Sequence, residues 1–109
     1  MQNSPWKVLS AQVSVGVLTE GWQLNHIDDA SADAPRICSF PVEVTFDAPF
    51  SAPPVVHLGL TGFDIDQRDS ARITLKAENI GPGGFHATIT TWAGTRVYGV
   101  EFQWLAIGG

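Results

Sequence analysis

The stretch from residue 71 to residue 93, ARITLKAENIGPGGFHATITTWA, constrains the fold of this chain most strongly. It begins with polar and apolar side chains in alternation, a pattern that is typical of a strand with one buried face. The GPGG at residues 81–84 predicts a tight turn whose glycines supply positive φ angles. The residues after this turn alternate again, so the stretch predicts an antiparallel hairpin. The side chains predicted to share its buried faces are Ile73, Leu75, Ala77, Phe85, Ala87, Ile89 and Thr91.

Arg72 and Trp92 both fall on the polar faces of these two strands. One interpretation is a sugar site, because an indole offers a flat apolar face to a pyranose ring and a guanidinium offers several donors in a fixed fork. The other interpretation is a subunit contact in which Arg72 stacks on Trp92 as a structural cation–π pair. The alternation alone favours the structural contact, since most aromatic residues at strand ends are structural.

Four further runs of alternating or apolar residues predict strands, at residues 11–18, 36–47, 55–61 and 96–107. Pro41 lies inside the second of these runs and predicts an edge strand or a bulge there. No segment has the period of a helix. Six short strands separated by turn signals predict one all-β domain over residues 1–109, built as a sandwich or a closed barrel.

Two of the predicted strands contain stretches that are apolar on both faces, at residues 55–60 and 97–107. One sandwich does not bury two faces of both strands, so the pattern favours a symmetric contact between copies of the chain. The two faces of the last strand are predicted to be Tyr98, Val100, Phe102 and Trp104 on one side, and Val97, Leu105 and Ile107 on the other.

Two loops are predicted, a long polar one at residues 22–35 and an acidic one at residues 62–70. Asp64, Asp66 and Asp69 in the acidic loop lack the glycine and the terminal glutamate of an EF-hand, so a solvated turn is the preferred interpretation. The three histidines of the chain have no metal-ligand spacing. No metal ion and no other cofactor is therefore expected.

Charge, hydropathy and missing motifs disfavour several kinds of partner and activity. Six basic and eleven acidic residues give a net charge of −5 without any basic run, which argues against nucleic acid and anionic membranes. No apolar run approaches the roughly 18 residues of a membrane helix. The motifs of a nucleophile elbow and of a phosphate-binding loop are missing, so no catalytic residue is expected.

Cys38 is the single cysteine, so no intrachain disulfide is expected. Residues 1–12 show no basic region followed by an apolar one, and no signal peptide is predicted. The compartment stays open between the cytoplasm and export by a route that leaves no cleavable signal.

A spaced set of aromatic, proline and glycine residues extends over residues 46–107. It includes a double proline before an apolar strand, an arginine that opens a strand, a Gly-Phe turn, a Thr-Trp strand end and a Trp-x-Ala-Ile finish. Its members are Phe46, Phe50, Pro53, Pro54, Asp64, Arg72, Gly84, Phe85, Thr91, Trp92, Trp104, Ala106 and Ile107. In these positions the chain resembles the H-type lectin domain of snail agglutinins and of the discoidin C-terminus.

The resemblance implies a six-stranded antiparallel β-sandwich that assembles as a trimer, paired into hexamers in some members of the family. It also implies a site for N-acetylgalactosamine or galactose between neighbouring protomers. Arg72 and Trp92 match the family residues that contact the sugar. These are the two residues that the alternation places on the polar face.

The chain departs from the agglutinin pattern at two positions. Ala93 stands at the position after the tryptophan, where the agglutinin pattern can have a histidine that hydrogen-bonds the sugar. Pro35 stands at the ungapped position of the family's sugar-binding aspartate. Asp33 is the nearest replacement after a small loop shift, and Asp28 and Asp29 are further candidates.

Together these features predict a non-catalytic, multivalent module that binds glycans and forms a homotrimer or a hexamer. The alternative is a structural or oligomerisation domain that keeps the lectin fold and has lost the sugar site. The missing histidine and the displaced aspartate favour that alternative.

Overall fold

A computed structural model of the chain describes residues 6–25, 37–66 and 70–109, and every regular element in it is a β-strand. The strands are β1 (Lys7–Gly16), β2 (Ile37–Thr45), β3 (Val55–Asp66), β4 (Ile73–Gly81), β5 (Gly84–Trp92) and β6 (Arg96–Gly108). The described residues include no helix that is long and apolar enough to span a membrane.

The six strands form two three-stranded antiparallel sheets. The first sheet has the order β1-β6-β3 and the second sheet has the order β2-β5-β4. The central strands, β5 and β6, follow each other in the chain but lie in different sheets. The prediction of a six-stranded antiparallel β-sandwich is confirmed.

The core lies between the sheets and is rich in aromatic rings. Phe46 contacts Phe50 and Trp104 at ring-centroid distances of 5.1 and 5.6 Å, and Phe85 lies 5.6 Å from Trp104. All four rings are buried. Each tilted or edge-on aromatic pair adds about 0.5–1.5 kcal/mol to the stability that burial itself provides.

The predicted hairpin is confirmed as β4 and β5, and the side chains of β5 alternate as expected. Phe85, Ala87, Ile89 and Thr91 are buried, whereas the residues between them are half-buried. Pro41 lies in β2, which is an edge strand of the second sheet, as its proline predicts.

The turn of this hairpin differs from the expectation. None of the glycines at residues 81–84 has a positive φ angle. The left-handed residue is Asn79, with φ 53°, and it lies in a bulge where the β4–β5 register shifts. Gly84 is needed for another reason, because a methyl group there would overlap the carbonyl oxygen of Val44 in β2.

The predicted faces of β6 are wrong at its first residues. Asp64 pairs with Gly99 and Ile65 with Val97, so Tyr98 is an extra residue opposite β3. This bulge resets the alternation. Val97 is therefore buried on the same side as Val100, and Tyr98 is only half-buried.

The predicted polar loop at residues 22–35 is wrong at its beginning. Trp22 and Leu24 are buried in the core, and the Trp22 indole Nε1 donates to the carbonyl oxygen of Val97 at 2.9 Å. The amide of Val97 in turn donates to the carbonyl oxygen of Leu24 at 2.9 Å. This segment therefore packs beside the start of β6, while residues 26–36 lie outside the described part of the chain.

The strand β3 is longer and more exposed than predicted. It continues through Asp66, so residues 62–66 are not part of an acidic loop. Within one chain β3 is not buried on two faces, since Val55, Leu60 and Phe63 are exposed.

We expect Gly84→Ala to lower the free energy of unfolding by about 1–3 kcal/mol, because the added methyl group forces β2 and β5 apart. Urea unfolding measures this change. Gly83→Ala is the matched control, because no atom lies within 4 Å of a methyl group there, and it should change stability by less than about 0.5 kcal/mol. Equal effects of the two substitutions would contradict the close approach at Gly84.

Candidate functional site

Arg72 and Trp92 lie on the outer face of the second sheet, at the end where β4 begins and β5 ends. Ile73 pairs with Thr91, and both of these side chains turn toward the core. Since paired residues share a face and successive residues alternate, Arg72 and Trp92 turn outward as neighbours across the two strands. Both side chains are half-buried. Two of the three predicted site residues are therefore brought to one corner of the sheet.

Two buried threonines hold the backbone of this corner. The amide of Arg72 donates to Thr95 Oγ1 at 3.1 Å. The Thr91 hydroxyl lies 2.8 Å from the carbonyl oxygen of Arg72 and 3.0 Å from that of Thr95, and its proton is donated to these two acceptors. Both threonines are fully buried, at 0% exposure. One hydroxyl thus joins the start of β4, the end of β5 and the segment that leads into β6.

A tight turn follows Trp92 and carries the chain from the second sheet to the first. Ala93 and Gly94 have φ angles of 58° and 80°, and the amide of Thr95 donates to the carbonyl oxygen of Trp92 at 3.4 Å. Positive φ at both central residues is the signature of a type I′ turn. Ala93 is exposed and has a left-handed backbone that costs an L-residue roughly 1–2 kcal/mol.

The Arg72 guanidinium is oriented by its own loop and not by the indole. Its Nη1 donates to the carbonyl oxygen of Ser70 at 3.2 Å. In the described part of the chain, the one cation–π contact is that of Lys7 with Phe50, so Arg72 is not stacked on Trp92. The structural pair considered from the sequence does not form within one chain.

The exposed Ile37 is the other neighbour of Trp92. It is the first residue of β2 and pairs with Trp92 across the sheet. Asp33, the third predicted site residue, precedes Ile37 by four positions and lies outside the described residues, as do Asp28 and Asp29. Four residues of chain reach at most roughly 14 Å.

The other candidate ligands are dispersed over the described residues. Asp64 and Asp66 lie in β3 and do not share a turn. His86 lies in β5, where its Nδ1 is 3.1 Å from Asn79 Nδ2. No three His, Cys, Asp or Glu residues in the described ranges are grouped to hold a metal ion. Cys38 packs half-buried against the core.

Sequence reasoning did not identify Ser70, Thr91, Thr95 or Ile37 as parts of this corner. The sequence predicts Thr91 as a buried member of the alternating pattern and as part of the Thr-Trp strand end, and neither feature predicts its contacts with Arg72 and Thr95. The sequence feature that indicates part of this corner is Gly94, two positions after Trp92. A glycine there predicts a turn, and a turn brings the backbone of Thr95 back toward Trp92.

Three comparisons relate this chain to known proteins. The family model of the H-type lectin domain matches residues 41–107. A protein of Fuscovulum blasticum described as "ATP synthase subunits region ORF 7" is 40% identical over 78 residues, which are 72% of this chain and 66% of that protein.

Two solved structures of discoidin II from Dictyostelium discoideum have the same fold. They superpose with TM-scores of 0.76 and 0.77 at 25% and 24% sequence identity. The similarity covers 95% and 96% of this chain but only 37% and 38% of the discoidin II chains. The chain also spans slightly less than two thirds of the Fuscovulum protein.

We expect Thr91→Val to lower the free energy of unfolding by about 1–3 kcal/mol, because the carbonyl groups of Arg72 and Thr95 lose a donor. Urea unfolding measures the loss. Thr90→Val is the matched control, since the half-buried Thr90 carries its hydroxyl at the surface, where its hydrogen bond within the described residues is with Ser39 Oγ at 2.9 Å, and its effect should stay below about 0.5 kcal/mol. A cost at Thr91 no greater than at Thr90 would contradict the role of the buried hydroxyl.

We expect Ala93→Asn to raise the free energy of unfolding by about 1 kcal/mol, because asparagine tolerates the left-handed backbone and Asn-Gly favours type I′ turns. Thermal unfolding measures the gain. Ala52→Asn, an exposed loop position without a positive φ angle, is the control and should be nearly neutral. A loss of stability at Ala93 would contradict the turn assignment.

Proposed function

Since this chain belongs to the H-type lectin domain family and has a carbohydrate-binding lectin fold, we propose that Arg72 and Trp92 form its sugar site. The observation that carries this proposal is their shared position on one outer corner of the second sheet, above a buried threonine anchor. The proposed role is binding without catalysis.

Trp92 is proposed to stack on the sugar ring. The C–H face of a galactose-type pyranose is apolar, and an indole is a large, rigid surface that loses little conformational entropy on binding. Trp92 keeps part of its surface accessible, and the buried Thr91 before it and the tight turn after it fix its backbone. A fixed ring supports binding because little ordering is needed when the ligand arrives.

Arg72 is proposed to donate hydrogen bonds to the sugar. The guanidinium carries five N–H donors, and in the described part of the chain one contact of this group is seen, to the carbonyl oxygen of Ser70. Ring hydroxyls and the acetamido carbonyl of N-acetylgalactosamine are suitable acceptors. Charge-assisted bonds of this kind are stronger than neutral ones.

Asp33 is proposed to accept hydrogen bonds from sugar hydroxyls. A carboxylate accepts at both oxygens and complements a guanidinium that only donates. The support is the position of Ile37 beside Trp92, because Asp33 precedes Ile37 by only four positions in the sequence. Asp28 and Asp29 are the alternative carboxylates. The preferred sugars are N-acetylgalactosamine and galactose, by the family resemblance.

We further propose that the module assembles as a homotrimer or a hexamer with sugar sites between protomers. Val55 and Phe63 of β3 are 67% and 60% exposed, and Leu60 between them is also exposed. An apolar strand of this kind supports a contact with another copy. Repeating a weak site around such an assembly raises avidity without new contacts.

The second candidate function is a structural or oligomerisation domain without a sugar site. Ala93 favours it, since a methyl group supplies no hydrogen bond where the family can place a histidine. The two functions differ in one outcome. Trp92→Ala weakens sugar binding and keeps the assembly if Trp92 belongs to a sugar site, whereas a structural domain has no sugar binding to lose.

We expect titration calorimetry with N-acetylgalactosamine and galactose to show binding that Trp92→Ala weakens by about 2 kcal/mol, or roughly thirtyfold. Arg72→Ala should cost about 1.5–3 kcal/mol, the range for a hydrogen bond to a charged group. Asp33→Asn should weaken binding in the same direction.

Lys76→Ala is the matched control. Lys76 lies on the same outer face of the sheet as Arg72, with Thr74 between them, and carries the same charge. Its variant should bind like the unaltered protein. Light scattering should give every variant the same assembly mass. The absence of binding to either sugar and to a glycan array would contradict the proposal and favour the structural domain.

A further inference from the structure

The four edge strands of this sandwich differ in how they resist pairing with another strand. Natural sheets protect their edges with prolines, bulges, charges or short strands. The edge strand β2 contains Pro41, β3 has two register shifts, and β4 has the bulge at Asn79. Each of these features disrupts a continuous row of hydrogen bonds. The remaining edge, β1, has none of them.

The strand β1 is regular along its whole length. It pairs with β6 in an unbroken register from Lys7 with Gly108 to Gly16 with Gly99. Its ten residues include no proline, and Lys7 is its single charged residue. The Lys7 ammonium is turned toward its own chain, where it donates to the carbonyl oxygens of Ala48 and Pro49. It does not protect the edge.

Alternate residues of β1 direct their backbone groups away from β6. The amide of Val17 donates to the carbonyl oxygen of Tyr98, so odd-numbered residues of β1 face β6 and even-numbered residues face outward. The outward amide of Gly16 is capped by Thr19 Oγ1 at 2.9 Å. Among the described residues, no partner is seen for the outward groups of the other four even-numbered residues, which are all exposed. These are Val8, Ser10, Gln12 and Ser14.

We propose that β1 pairs antiparallel with β1 of a second copy of this chain, across a two-fold axis at Ala11. This register places Val8 opposite Ser14 of the second copy and Ser10 opposite Gln12, with two backbone hydrogen bonds in each pair. All four outward-facing residues of each chain are then paired. The two first sheets become one continuous six-stranded sheet.

The charges and side-chain sizes of β1 suit pairing with itself. The facing residues are neutral and mostly small, so no like charges meet across the axis. Lys7 falls opposite Val15 of the second copy and not opposite another lysine.

The exposed apolar residues of this edge lie at its two ends. Trp6 is 78% exposed and Val8 is also exposed at one end, while Val17 and the 98% exposed Leu18 lie at the other. In an antiparallel pair, the N-terminal end of each β1 lies beside the C-terminal end of β1 in the second copy. The contact therefore covers apolar surface at both ends as well as pairing the backbones between them.

The β1 pair is separate from the proposed sugar site and does not depend on it. The corner of Arg72 and Trp92 belongs to the second sheet, whereas β1 is the outer strand of the first. Sugar sites on both copies therefore stay accessible. If β3 carries a three-fold contact, a two-fold contact through β1 closes the assembly at six chains.

The test is the mass of the assembly by sedimentation velocity, without sugar, for the unaltered protein and for Gln12→Pro. Proline removes an outward N–H group without removing a bond to β6. The unaltered protein should contain an even number of chains, and Gln12→Pro should reduce the mass to half. Gln12→Thr is the control and should keep the full mass. A monomer or a trimer for the unaltered protein, or full mass for Gln12→Pro, would overturn the proposal.

A cross-link tests the register independently of any effect of proline on folding. The two Ala11 residues form a non-hydrogen-bonded pair at the axis, with Cα atoms about 4.5 Å apart, which is within the range of a disulfide. Ala11→Cys in a Cys38→Ser background should yield a covalent dimer under mild oxidation. Val13→Cys in the same background should not. A missing dimer for Ala11→Cys would overturn the register. Neither result depends on sugar binding.

Discussion

The hydroxyl of Thr91 is the interaction on which the candidate site depends. It is fully buried at the end of β5 and contacts the carbonyl oxygens of Arg72 and Thr95. A buried carbonyl without a donor is costly, so this bond fixes where β4 begins and where the chain leaves for β6. The positions of Arg72 and Trp92 on the outer face follow from that anchor. A core residue therefore positions the proposed binding surface.

The two-sheet architecture leaves a small core with four sheet edges. The aromatic cluster fills the space between the sheets at the end where Phe46 and Phe85 lie. Apolar residues nevertheless remain exposed on β3 and at both ends of β1. A domain of this size buries a limited fraction of its surface. Association is the common physical solution, and the proposed assembly would also repeat the proposed sugar site.

Local patterns predicted the fold well where strands alternate without interruption. The buried residues of β5 and the edge position of β2 followed from alternation and from Pro41. The bulge at Tyr98 did not, because alternation assumes an unbroken register. The burial of Trp22 was missed because its partner Val97 is far away in the chain. The Arg72 and Trp92 corner was predictable in part, whereas the threonine anchor depends on tertiary contacts.

The most direct test of sugar binding at Trp92 is the indole region of ¹H–¹⁵N correlation spectra during a titration with N-acetylgalactosamine. The indole groups of the chain belong to Trp6, Trp22, Trp92 and Trp104. A sugar stacked on Trp92 should cause a saturable shift of the Trp92 indole and no shift of the Trp22 indole, which is hydrogen-bonded to Val97 in the core. A saturable shift confined to the other indoles, with Trp92 unchanged, would contradict a sugar site at Trp92.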